Sequence, residues 1–272
     1  MNHRTVAAVF GTVAAATAFV ATPAPAGSPP PLFATSDRCV ACHNGMTTPS
    51  GEDVSIGFAW RASIMANSAR DPYWQAAVRR ETVDFPDASA AIQDECAACH
   101  MPMARFEAHV AGRKLDVFSR LGGGARAGGG DPLALDGVSC SLCHQLRNGG
   151  PGLERDGEFN IDTSRPWGER LVFGPFDIPP ARARVMHSAT EFLPARATNL
   201  EASELCSTCH TLYTTPLGAG GDKAPARFPE QVPYLEWRAS AYAREQSCQA
   251  CHMTFTSEPV ASASVQIGRA HV

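Results

Sequence analysis

The sequence predicts a mainly α fold with long irregular loops, and three observations carry that expectation. Helix-start signatures recur, strand signals are few, and one cysteine–histidine motif appears five times at short spacing. The motifs are separated by 52, 39, 61 and 37 residues. Each interval is too short for an independent domain, so residues 39–272 read as one continuous unit. Composition bounds the class. The 272 residues are 44% hydrophobic and 18% charged, ordinary for a soluble globular chain. A net charge of −4 with no basic arm argues against a nucleic-acid partner.

Residues 1–26 have the layout of a signal peptide. Asn2-His3-Arg4 gives a positive start, Thr5 to Ala21 is apolar, and Ala24-Pro25-Ala26 offers a small-x-small cleavage site before Gly27. The alternative is an uncleaved anchor, the one route to a membrane association. The apolar run of about 17 residues is at the lower limit for spanning. Export places the mature chain in an oxidising compartment, in a bacterium the periplasm.

Residues 27–38 form a flexible leader that starts with the Pro-rich stretch Gly27 to Pro31. Asp71-Pro72 predicts an N-cap and a helix through about Thr82, and Asp87 predicts a second cap before a helix into the second motif. Leu200 to His210 and Ala239 to His252 read as helices delivering a motif at their C-terminal ends. Gly122 to Gly130 (GGGARAGGG) reads as a flexible surface loop. With four prolines and two glycines, Arg165 to Pro180 is expected to be extended and irregular.

All ten cysteines fall in C-x-x-C-H copies: Cys39, Cys42 and His43; Cys96, Cys99 and His100; Cys140, Cys143 and His144; Cys206, Cys209 and His210; Cys248, Cys251 and His252. This is the attachment signal for c-type haem. Two thiols at that spacing reach the two vinyl-derived carbons of one porphyrin and form thioethers. The next residue then lies beneath the ring, where a neutral imidazole binds iron. Zinc ribbons do not require a histidine after each pair, and thioredoxin-like motifs occur singly in a βαβ context. Five disulfides would leave the histidines unexplained. The chain thus predicts five covalent c-type haems, about 50 residues per haem, and a fold built around packed haems.

Each iron has a second axial position. Outside the motifs and the signal peptide the histidines are His109, His187 and His271. The methionines are Met46, Met65, Met101, Met103, Met186 and Met253. His187, His271, His109 and Met65 are the candidate distal ligands. Met46 and Met103 follow a motif histidine too closely to serve the same iron and read as haem-packing residues. One tetrapeptide recurs: Trp60-Arg61-Ala62-Ser63 and Trp237-Arg238-Ala239-Ser240. Its bland reading is a helix start whose Trp packs on a porphyrin, its functional reading a device presenting residue 65. Three histidines cannot fill five positions, so unequal reduction potentials are expected.

Phe173-Gly174-Pro175, Met186-His187-Ser188 and Glu204 to His210, together with the five motifs, resemble multihaem cytochromes c related to the tetrahaem cytochrome of nitrifying bacteria. That group is similar in haem packing to pentahaem nitrite reductase and octahaem hydroxylamine oxidoreductase. The resemblance covers residues 39–272. It implies that a Trp-x-x-Ser-x-His element supplies a distal histidine, a place held here by Met65 and Tyr242. It also implies that a histidine beyond the last motif reaches back to a haem, favouring His271. Relatives often continue past this point, so the C-terminus is expected to be incomplete.

Two functions follow. The first is a periplasmic electron carrier that docks redox partner proteins through a small transient patch. The second is a haem-based oxidoreductase acting on a small nitrogen or sulfur compound at an open axial site. Pentahaem nitrite reductase usually has one motif with lysine in place of histidine, and no motif here does. A part in a larger electron-transfer assembly is the third expectation.

Overall fold

The computed structural model describes residues 31–122, 129–147, 156–218, 223–253, 256–258, 260–262 and 265–268. The signal-peptide reading, most of the glycine-rich loop and His271 lie outside these residues. Among the described residues, no helix is long and apolar enough to cross a membrane.

The mainly α expectation holds. α1 (Asp37–Val40) opens the first motif; β1 (Met46–Thr47) and the paired helices α2 (Ile56–Ala62) and α3 (Ile64–Asn67) follow. α4 (Pro72–Asp84) starts where the sequence places it. Asp71 accepts the Tyr73 N–H at 2.9 Å, and proline takes the first turn. Such a cap contributes about 1 kcal/mol. The expected cap at Asp87 is not formed. Asp87 lies in a 3-10 turn (Pro86–Ala88), and α5 (Ser89–His100) starts after Ala88 with no side-chain cap. α6 (Pro102–Val110) folds back on α5, and their buried faces share a cluster with α4 through Trp74, Val78, Ala97, Met101, Ala104 and Ala108.

Two short helices, α7 (Val117–Arg120) and α8 (Pro132–Leu135), lead to α9 (Cys140–Cys143), the third motif. The stretch expected to be irregular contains β2 (Arg170–Gly174). After α10 (Pro180–Thr190), β3 (Phe192–Arg196) pairs with it in parallel, in register from Arg170 with Phe192 to Gly174 with Arg196. Prolines flank this strand rather than interrupt it, so its ladder N–H groups remain available.

The helix expected over Leu200 to His210 is broken. A 3-10 turn covers Asn199–Glu201, Ala202 is extended (φ −93°, ψ 136°), and α11 is only Glu204–Ser207. β4 (Leu212–Thr214) and β5 (Phe228–Gln231) form an antiparallel pair before α12 (Pro233–Ala239). The helix expected over Ala239 to His252 is broken twice, at Ser240 (ψ 166°) and Ser247 (ψ 165°), leaving a 3-10 turn and α13 (Cys248–His252). Serine competes for backbone groups and favours such caps over helix interiors. β6 (Val260–Ser262) pairs antiparallel with β1 and with β7 (Val265–Gly268).

Candidate haem-attachment sites

Every motif sits on a single helical turn. A turn places residues three apart on one face, so the two thiols of each motif share a side and the histidine follows them. The histidine N–H closes that turn on the first cysteine's carbonyl at His43 (3.0 Å), His144 (3.0 Å) and His210 (2.9 Å).

Two histidine rings are held in one tautomer. His100 Nδ1 lies 3.0 Å from the Ser68 carbonyl, and His144 Nδ1 lies 2.6 Å from the Phe173 carbonyl. With Nδ1–H donating to a carbonyl, the Nε2 lone pair is the one left for a metal. The clamp is reciprocal in both. The Ser68 hydroxyl donates to the His100 carbonyl at 3.0 Å, and the Phe173 N–H donates to the His144 carbonyl at 2.6 Å. Trp74 stacks on the His100 ring, centroids 4.5 Å apart and planes within 5°. Burial pushes His43, His100 and His210 toward the neutral imidazole, the form that ligates iron. His144 adds to this at His43, as His252 does at His210, whereas the Ser68 carbonyl and Asp71 oppose it at His100.

The motifs touch one another in a definite order. The Cys39 and Cys140 thiols lie close enough to act on one another, as do Cys99 and Cys209, and Cys206 and Cys248. Cys143 lies within electrostatic range of Cys206 and Cys209. Burial and neighbouring carboxylates push the Cys96 thiol up to about 12. Burial with Cys248 and Cys143 does the same to Cys206, while burial takes Cys143 to about 11. Motif 1 therefore lies beside motif 3, and motifs 2 and 5 each lie beside motif 4, with Cys143 of motif 3 within electrostatic range of motif 4. Gly157 supports that junction. Its N–H donates to the Thr208 carbonyl at 2.8 Å, and a Cβ there, at φ +70°, would come within 2.6 Å of Ala98 Cβ between the motif 2 cysteines.

The recurring tetrapeptide marks a structural duplication. Gly57 N–H donates to the His43 carbonyl (2.9 Å), and Tyr234 N–H donates to the His210 carbonyl (3.1 Å). These donors stand three residues before Trp60 and Trp237. The Trp60 indole donates to the Val138 carbonyl (3.0 Å), and that of Trp237 to the Gln246 carbonyl (2.9 Å). Val138 N–H donates to the Met65 carbonyl, and Gln246 N–H to the Tyr242 carbonyl. Val138 and Gln246 each stand two residues before the next motif's first cysteine. Motifs 1 and 3 thus form one module and motifs 4 and 5 a second, with residues 65 and 242 equivalent. The tetrapeptide closes a helix rather than opening one, because Ser63 and Ser240 turn extended and return their N–H to Trp60 and Trp237.

The candidate distal ligands fall in different places. Met65 is 40% exposed on α3, beside the approach to motif 3. His187 lies on α10, which packs against α1, with Nε2 2.7 Å from the Gly168 carbonyl, so its lone pair is on Nδ1. His109 Nε2 faces both oxygens of buried Asp94 at 2.9 Å, inside the α5–α6 pair. Met46 and Met103, expected to pack on haem, are fully buried among protein side chains, and Ser141 Oγ lies 3.4 Å from Met103 Sδ. Ser68 and Phe173 were not legible as site residues, since each holds its histidine through a backbone carbonyl, which no side-chain pattern reports.

Among the described residues, no three His, Cys, Asp or Glu side chains converge on a bare-metal site. No family model matches the chain, and no curated protein does. The fold is similar to that of a penta-haem cytochrome c552 from Thermochromatium tepidum, with a TM-score of 0.49 and 16% identity over 87% of this chain. The chain spans 56% of that structure's length.

Proposed function

We propose that the chain is a multihaem cytochrome c of the periplasm, carrying electrons through five covalent haems between redox partner proteins. Five thiol pairs, each with its histidine, support this reading, and the residues fit the group. The thiols of each motif share a helical face, and two imidazoles have Nδ1 held by a backbone carbonyl, the tautomer that ligates through Nε2. Bound through these thioethers, haem supplies a one-electron iron couple.

The closeness of the motifs to one another carries the functional reading. Motifs 1, 3 and 4 form a line, and motifs 2 and 5 branch from motif 4. The protein's part is to hold the rings rigidly. The Ser68 and Phe173 carbonyls fix the imidazoles, and Trp60 and Trp237 lock each module. A branched conduit has three ends, so electrons can arrive and leave at separate surfaces.

Rapid-mixing reduction of the holoprotein tests this. All five haems should reduce in one kinetic phase when the small-molecule donor is limiting, as expected for sites equilibrating internally. Separate phases for haems that exchange no electrons would overturn it. A spectral shift on adding nitrite, hydroxylamine or carbon monoxide would instead favour the oxidoreductase reading.

A further inference from the structure

The residue after the first cysteine of a C-x-x-C-H motif takes no part in attachment, so a buried polar side chain there needs another cause. In motifs 3 and 5 that residue is Ser141 and Gln249, 2% and 6% exposed. Each bonds to the backbone of a short strap that precedes the other motif of its module. The Ser141 hydroxyl donates to the Ala34 carbonyl at 2.6 Å and accepts the Ala34 N–H at 3.2 Å. Gln249 Nε2 donates to the Leu200 carbonyl at 2.9 Å and to the Ala202 carbonyl at 2.8 Å.

The two straps are equivalent. Ser36 and Ser203 each stand three residues before the first cysteine of their module, with φ −59°, ψ −25° and φ −60°, ψ −22°. Both are buried, and both reach the approach to the second motif. Ser36 donates to Asp136, four residues before Cys140, through its N–H at 2.8 Å and its Oγ at 2.7 Å. Ser203 Oγ accepts the Cys248 N–H at 2.9 Å. Leu32 to Ser36, expected in a flexible leader, is thus held in the haem domain. Phe33 is buried, and Gln145 Nε2, one residue beyond His144, donates to the Leu32 carbonyl at 3.0 Å.

The other motifs lack this device. Val40 in motif 1 and Ala97 in motif 2 have no polar group at that place, and Ser207 Oγ in motif 4 donates within its own helix, to the Glu204 carbonyl at 2.7 Å. Within each module the strap is a second tie. Trp60 and Trp237 already join the segment after the first motif to the approach of the second. One tie leaves a hinge, whereas two at separate points remove the rotation, and buried, satisfied hydrogen bonds make the joint rigid.

We propose that Ser141 and Gln249 are positioning residues which, through the straps, fix the distance and angle between the two haems of each module: those of motifs 1 and 3, and those of motifs 4 and 5. This rests on the five-haem reading and adds the device that sets the pair geometry.

Circular dichroism of the holoprotein across the Soret band tests it, because neighbouring porphyrins couple and the resulting couplet reports their mutual angle. Ser141→Ala and Gln249→Leu should each lose part of the couplet while all five haems stay attached. The double variant should lose the sum, since the two pairs are tied separately. Ser141→Thr, which keeps the hydroxyl, should retain the wild-type couplet. If Ser141→Ala does not fold, Gln249→Leu carries the test. An unchanged couplet in Gln249→Leu, a loss that Ser141→Thr shares, or a double variant no different from a single one would overturn the proposal. A wild-type protein with fewer than five haems by intact mass would instead overturn the reading beneath it.

Discussion

The two modules use the same bonds to different ends. In the first, motifs 1 and 3 are joined by an indole bond between residues 78 apart, with the whole of motif 2 inserted between them. In the second, motifs 4 and 5 are joined by an equivalent bond spanning only nine residues. Motif 3 is also better buried than motif 5. Ser141 and Leu142 of motif 3 are 2% and 1% exposed, whereas Tyr242 and Met253 around motif 5 are 62% and 41% exposed. The same scaffold thus covers one motif and leaves another open.

Removing attachment is the severest way to break this comparison. Cys140→Ala with Cys143→Ala should prevent accumulation of folded protein, because motif 3 joins motifs 1 and 4. The same double change at Cys248 and Cys251 should leave a four-haem protein, as read by intact mass and the haem absorbance.

Residues 65 and 242 sharpen it further. Met65→Leu should lower one reduction potential or convert one haem to high spin, while Tyr242→Leu should do neither. Electron paramagnetic resonance with a potential titration reads both outcomes.

Trp60→Leu should destabilise the holoprotein by about 2 kcal/mol, from lost packing and one hydrogen bond. Trp237→Leu should cost less, since its bond closes a local loop. Chemical denaturation compares the two.

The smallest effect lies in the insertion that only the first module has. Burial pushes the Asp94 carboxyl up, but the Leu115 N–H, His109 and Arg105 lower it further, for a net shift below its ordinary value. A carboxylate with a depressed folded pKa stabilises the fold above its unfolded pKa and loses that contribution as pH falls through the folded one. Asp94→Asn should therefore cost about 1 kcal/mol at neutral pH, a difference that shrinks below about pH 4. Denaturation at pH 7 and pH 3 checks the sign.

Much of this was legible in the sequence, for identifiable reasons. The motifs declare themselves because their chemistry needs a fixed spacing of side chains. Asp71-Pro72 was readable because capping is local, and α4 begins there. The broken helices at Ala202, Ser240 and Ser247 were not readable, since long-range bonds hold them. Cys248 N–H, for example, donates to Ser203 Oγ at 2.9 Å across 45 residues. The tetrapeptide showed that two segments are alike. Only their shared bonds to Val138 and Gln246 revealed what the likeness joins.

The central claim is that every motif histidine is partnered by two thioethers. Intact mass of the purified protein, followed by alkylation under denaturing conditions, tests it most directly. The account predicts one species carrying five haems with no cysteine open to alkylation. A chain with fewer haems and a matching number of reactive thiols or disulfides would contradict it.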